Sequence, residues 1–218
     1  MENKMEKLWI IQECRNQMGR YEFLHSAKKH RETYELFAVG RDDCWIENFD
    51  LGFFNGPESI KRFFVDFHEK MDGNDISGSF CQHDLTTEVI VVADDLMTAK
   101  AVWMSPGCET RRDPKEGRLT SYWTWVKYAV DFIQEDGEWK FWHFTIFSDF
   151  CAEYYTSWVD MEYVTPAVPE MLSPDSPSIQ SLSYSKEMAP VYWPVPPMPY
   201  KTYDGNTMTP RRVNETGG

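Results

Sequence analysis

The sequence predicts an α+β domain in which a strongly curved antiparallel sheet packs one face against helices. Two observations carry this. Apolar residues recur at helical spacing early in the chain, and four long, β-rich segments joined by turns follow from Phe80 onward. A third observation sets the domain's limit. Ten of the 13 prolines lie beyond Asp160, and a segment so interrupted forms neither a helix interior nor a central strand. The domain is therefore placed at residues 1–159 and a Pro/Ser-rich extended arm at 160–218. The aromatics of the arm, Tyr192, Trp193, Tyr200 and Tyr203, favour an ordered arm over a loose tail, with Trp193 and Tyr200 as its anchors.

Each element has its own signal. Leu8, Ile11, Cys14, Met18, Tyr21 and His25 recur every three or four residues, predicting a helix of about 20 residues that ends near Ser26. A shorter helical stretch buries Tyr34 and Phe37 and stops at Gly40. Cys44 to Phe54 is rich in β-formers and breaks at Asn55-Gly56, which reads as two short strands. Pro57, with Glu58 behind it, opens a helix whose apolar face is Ile60, Phe63, Phe64, Phe67 and Met71. The four long strands run Phe80–Val92, Met97–Cys108, Leu119–Gln134 and Trp139–Phe150, the last pair closed by the Glu135-Asp136-Gly137 hairpin signal.

Composition excludes whole classes of function. The 218 residues carry a formal net charge of −13, which repels phosphate backbones and argues against nucleic-acid or membrane-surface binding. No stretch is apolar for the ~18 residues a membrane span needs. The N-terminal MENKMEKLWIIQECRNQ lacks the apolar run of a signal peptide. The five cysteines are scattered without a C-x-x-C pair, so free thiols and a cytoplasmic location are expected.

The order of elements, with several local motifs, resembles the nuclear transport factor 2-like superfamily and its SnoaL-like branch. The motifs are Arg20-Tyr21, Leu36-Phe37-Ala38 before Asp42-Asp43, and Asn55-Gly56-Pro57-Glu58-Ser59-Ile60. Further along come Gln82-His83-Asp84, Asp95 with Thr98-Ala99, and Glu135-Asp136-Gly137-Glu138-Trp139-Lys140-Phe141. The resemblance covers roughly residues 5 to 155. The resemblance implies a cone: a curved sheet wrapped around the N-terminal helices, with a pocket at its open end. It also implies a cofactor-independent lyase of dehydratase type, or an isomerase, acting on a hydrophobic aromatic or polycyclic molecule; a homo-oligomer, a dimer, is expected on the separate ground of the two apolar faces of the third long strand. The same fold also hosts non-catalytic binding modules and scaffold subunits, so fold does not fix function.

The catalytic candidates are His83, Tyr21, His143 and His25. Strand alternation groups His83 with Leu85, Thr87, Val89 and Val91, an apolar set that places His83 inward. It groups His143 with Trp139, Phe141, Thr145 and Phe147. Tyr21 and His25 lie one turn apart on the apolar side of the first helix. A histidine in an apolar pocket moves a proton near neutral pH, and a tyrosine hydroxyl stabilises an enolate. Trp103, Tyr122, Phe141 and Ser26 are the expected substrate-binding residues. The resemblance implies an aspartate about one turn after the tyrosine, where this chain has Ser26 beside His25. Gln82-His83-Asp84 has no second His/Cys cluster beside it in sequence, so no metal and no cofactor are expected. His30 and His68 read as surface residues, and Arg111, Arg112, Lys115 and Arg118 as a basic loop. Trp123 and Trp125 alternate with Tyr122 and Thr124, so one face of that strand needs the helices and the other a second subunit.

Overall fold

A computed structural model describes residues 2–73, 75–112, 117–161, 170–179, 184–206 and 208. The helices are α1 (Glu2–Ser26), α2 (His30–Tyr34), α3 (Pro57–Lys61) and α4 (His68–Asp72), with a π-helical segment, Arg62–Phe67, joining α3 to α4. The strands are β1 (Trp45–Asn48), β2 (Gly52–Asn55), β3 (Phe80–His83), β4 (Thr86–Val92), β5 (Thr98–Arg112), β6 (Leu119–Glu135) and β7 (Glu138–Glu153). They form one open, curved seven-stranded sheet in the order β2-β1-β7-β6-β5-β3, with β4 also paired to β5. The sheet is mixed rather than wholly antiparallel, because β1 runs parallel to β7. The crossover through the helical segments makes that pairing possible.

Three local irregularities redirect side chains from where simple periodicity puts them. In α1 the buried stripe runs through Ile10, Cys14, Met18 and Tyr21, whereas Leu8 is exposed. The π-helical segment inserts extra backbone into the helix that follows Pro57. It buries Phe63, Phe64, Val65 and Phe67 together and rotates Met71 out to solvent. The predicted Phe80–Val92 strand breaks at Asp84-Leu85 into β3 and β4, and a register shift follows between Thr86 and Val89.

The concave face of the sheet and the helices enclose the core. Tyr21, Phe37, Phe64, Tyr128, Phe141 and Phe144 interlock there, the Tyr21–Phe144 ring centroids being 4.9 Å apart. Burying aromatic rings of this size dominates the stability of such a core.

Two described stretches of the arm are bound to the domain. Leu172 is fully buried in the main core. Ser176 bridges Phe53 of β2, and Asp175 accepts from the Asn55 amide and from Arg62. Gly52, at φ +112°, leaves the room this crossing needs: a Cβ there would meet Pro174 at 2.6 Å. Further on, Tyr200 and Lys201 carbonyls accept from the Asp94 and Asp95 amides, and the Tyr200 hydroxyl bonds Thr98 at 3.0 Å. Trp193 is not an anchor; it is 41% exposed, while Pro194 and Pro197 are buried. Among the described residues, no helix is long and apolar enough to cross a membrane.

Candidate active site

The polar residues of the interior converge where α1 ends against β3, β5 and β6. On β3, Cys81 and His83 share the inward face, with His83 6% exposed. Opposite them on β5 stand Glu109, paired in register with Cys81, and Gly107, paired with His83. Thr124 of β6 is the register partner of Gly107. Glu22 and His25 come down from α1. His83 is thus inward as expected, though for another reason than its apolar successors. The shift in β4 turns Val89 outward and Val92 into the core.

Glu109 holds the His83 ring through Nε2 at 3.1 Å and is itself held by the Arg111 guanidinium at 2.8 Å. Burial opposes charge on the His83 imidazole, but Cys81 and Glu109 beside it outweigh burial and push its pKa up to about 10. Burial also opposes the Glu109 carboxylate, yet His83 and Arg111 hold its pKa well below the usual range. His25 is pushed down to about 3, first by burial and then by His83 and His68. Glu22 is pushed up to about 7 by burial, partly offset by His83.

These groups share one feature. His83 Nδ1, His25 Nδ1, both Glu22 carboxylate oxygens, Ser105 Oγ and Thr124 Oγ1 are buried without a hydrogen bond of good geometry among the described residues, although the Tyr128 hydroxyl lies beside Glu22 and the Cys81 thiol beside His83. Each such atom costs roughly 1–3 kcal/mol relative to a paired one. Their concentration in one place marks where a ligand or water is to be met. Tyr21 stacks on His25, rings 5.7 Å apart and 2° from parallel, and His25 lies 6.1 Å from the His83 ring.

Tyr21, His25 and His83 are therefore brought together, and Phe141 packs edge-on against Tyr21 at 5.8 Å. Trp103 is buried on the inward face of β5, its indole N–H donating to Glu88. Tyr122 lies at the rim beneath Arg111, 4.7 Å from its ring. Ser26 is exposed at the end of α1 and does not reach the cluster.

His143 does not belong to the site. Asp131 pairs with His143 but Phe132 with Phe141, so Trp142 is a bulge. The bulge flips the alternation, sending Phe141 and Phe144 inward and His143 to the outer face. There His143 bonds Asp131 through Nδ1 at 2.8 Å and the Asp43 carbonyl through Nε2 at 3.2 Å. His30 and His68 are not surface residues either. His30 is 4% exposed and bonds Asp72 at 2.6 Å, and His68 bonds the Phe63 carbonyl. Of the basic loop, Arg111 serves the site through Glu109, Arg112 bonds the Ser77 and Gly117 carbonyls, and Lys115 lies outside the described residues.

The periodicity of α1 missed Glu22, although a carboxylate four residues after buried Met18 on an apolar stripe was a visible anomaly. Glu109 and Thr124 carried no sequence signal, since only strand register brings them to His83. A separate groove of about 510 Å³ runs between the first half of α1 and the β6–β7 hairpin, past Trp9, Glu13, Arg20 and Trp139. It includes none of the converging polar residues. The buried cluster, unlike the groove, joins titratable groups to unpaired atoms.

The sequence matches the SnoaL-like domain family over residues 6–145. By sequence, no curated protein matches the chain. Among solved structures, the fold is similar to that of LinA, with a TM-score of 0.54 at 11% identity over 75% of this chain and 99% of that one. It is also similar to a candidate scytalone dehydratase from Novosphingobium aromaticivorans, with a TM-score of 0.52 at 15% identity over 69% and 91%. A hexachlorocyclohexane dehydrochlorinase from Novosphingobium barchaimii gives 0.53 at 12% identity over 75% and 99%.

Proposed function

Because the chain belongs to the SnoaL-like family within the nuclear transport factor 2-like fold, we propose that it is a cofactor-independent lyase of dehydratase type, or an isomerase. Its substrate would be a hydrophobic, aromatic or polycyclic hydroxy-carbonyl compound bound at the open end of the cone. The observation that carries the reading is the set of unpaired, buried polar atoms on Glu22, His25, His83, Ser105 and Thr124. Titratable groups of opposite type, walled by aromatics and left unpaired, are what an acid–base site requires. The similar structures, a candidate dehydratase and dehydrochlorinases, point to elimination chemistry.

In this reading Glu22 removes the proton from the carbon beside the carbonyl. The electron pair forms the new double bond, and the hydroxyl leaves with a proton from His83, as water. Tyr21 supplies a hydroxyl to the carbonyl oxygen while negative charge develops there. Glu109 and Arg111 position His83. Turnover is tested on a panel of hydroxylated aromatic ketones, followed by the absorbance of the new conjugated double bond. His83→Ala and Glu22→Gln should each lower the rate about 10²–10⁴-fold while the protein stays folded, and Tyr21→Phe about 10²-fold. A His83→Ala variant that melts while its folded fraction turns over fully makes the histidine structural.

Two observations favour the second reading, a non-catalytic scaffold subunit. The body of the cone is filled by its own rings, and the outer sheet face carries an aromatic ladder. In it Trp158, Phe150 and Trp125 stack in succession, and Trp123 stacks on Tyr154. Trp123, Tyr154 and Trp158 are partly exposed. A homodimer through this face is expected in either reading, and light scattering that finds a monomer at micromolar concentration overturns it.

A further inference from the structure

We propose that His25, Cys81 and His83 form a binding site for a divalent transition-metal ion of the zinc class. One donor atom from each residue lies within 4.8 Å of the other two. This reading goes beyond acid–base turnover and does not depend on it.

The donor set selects the ion. Two imidazoles and a thiol suit a borderline-soft cation, while magnesium and calcium prefer oxygen. Three protein ligands leave a fourth position open. Burial supports the assignment: Cys81 is 8% and His83 6% exposed. The Nδ1 atoms of His25 and His83 are buried without partners, so coordination would satisfy groups the fold leaves unpaired.

The surroundings are those of a metal-binding histidine. Glu109 fixes the His83 ring through Nε2 and Arg111 fixes Glu109, the carboxylate–imidazole arrangement that orients a ligand and raises its basicity. Tyr21 fixes the plane of His25 by stacking. Gly107 is what lets His83 pack this closely against β5, since a Cβ there would lie 2.6 Å from the Gln82 carbonyl and 2.7 Å from His83 Nδ1. Tetrahedral zinc, with bonds of about 2.0–2.3 Å, sets its donors roughly 3.3–3.7 Å apart. Binding therefore draws any pair of these donors together by at most about 1.5 Å. It also displaces the thiol proton of Cys81 and any proton on His83 into solvent. Metal and proton compete for His83, so the loaded protein is expected to be silent in acid–base turnover.

The test is a titration of the full chain, freed of metal by chelation, with cobalt(II) as the probe. The expected result is a thiolate-to-cobalt charge-transfer band that saturates at one ion per chain and is abolished by zinc. Cys81→Ser should remove the band, His25→Ala should weaken binding about 10-fold or more, and Glu109→Gln about 10–100-fold. His143→Gln should leave the band intact. Should Cys81→Ser fail to fold, Cys81→Ala serves the same reading. No band in the folded wild type, a band that survives loss of the Cys81 thiol, or an affinity unmoved by His25→Ala each overturns the proposal. Turnover plays no part in this readout, so the metal site and the proposed reaction can fail separately.

Discussion

His83 and His143 are buried histidines beside carboxylates on opposite faces of one sheet, and they differ in how their polar atoms end. On the outer face Asp131 accepts from Lys100 at 3.1 Å, from His143 at 2.8 Å and from the Tyr203 hydroxyl at 3.3 Å. The second His143 nitrogen bonds Asp43, and Lys100 also donates to the Asn206 carbonyl. Every polar atom of those four side chains has a partner, and the arm supplies three of the contacts. On the inner face the bonds stop at Glu109 and Arg111, and five side chains keep unpaired atoms. Both regions bury charge. The outer one closes the network and so contributes to the fold, whereas the inner one leaves it open toward a ligand. The neighbouring indole N–H of Trp45 is unpartnered, so the closure belongs to the network rather than to the whole outer face.

The largest expected effect breaks the closed network. Asp131→Ala leaves the buried Lys100 ammonium without its counter-ion and removes the His143 acceptor. It should cost about 3–5 kcal/mol, which for a chain of this size lowers Tm by roughly 6–20 °C. Calorimetry of Asp131→Ala beside Glu109→Ala sharpens the comparison. Equal losses would mean that the inner carboxylate is as structural as the outer one.

Acid separates the regions again. Burial would raise the Asp131 carboxyl, but Lys100 and His143 hold its pKa below the ordinary aspartate value. A carboxyl depressed by folding contributes its stability above the unfolded-state pKa and loses it as pH falls through the folded-state value. The stability gap between wild type and Asp131→Asn should therefore narrow as pH falls from about 5 to about 2. Urea melts across that range check it, and a gap that stays constant removes Asp131 from the acid response.

The helices-then-strands order was legible because periodicity records burial wherever the backbone is regular. Tyr21 and His25 were legible for the same reason, being one turn apart on a regular helix. What failed lay at irregularities. The Trp142 bulge moved His143 to the outer face, and the π-helical segment moved Met71 into solvent. No residue in the sequence announces a bulge, since it arises from how two strands pair. Glu109, Cys81 and Thr124 were invisible as partners of His83 because register across β3, β5 and β6 joins positions far apart in the chain. Trp193 failed as an anchor because an aromatic is held only where a surface waits for it, and the arm instead seats Tyr200 and Tyr203 on Thr98, Lys100 and Asp131.

The smallest effects concern that arm. Tyr203→Phe keeps the ring over Lys100, 4.3 Å from its ammonium, and removes only the hydroxyl's hydrogen bonds to Asp131 and His143. Losing one such bond should cost about 0.5–1.5 kcal/mol. Trp193→Ala trims a half-exposed ring and should stay within about 0.5 kcal/mol. Because Asp131 and Lys100 remain paired in Tyr203→Phe, the loss should be felt first as easier release of the arm. Limited proteolysis between Ser173 and Tyr203 reads this directly, since cleavage follows the population of the open form. Cleavage should quicken in Tyr203→Phe and stay unchanged in Trp193→Ala. The reverse order would place the anchor at Trp193 and leave the outer network closed without help from the arm.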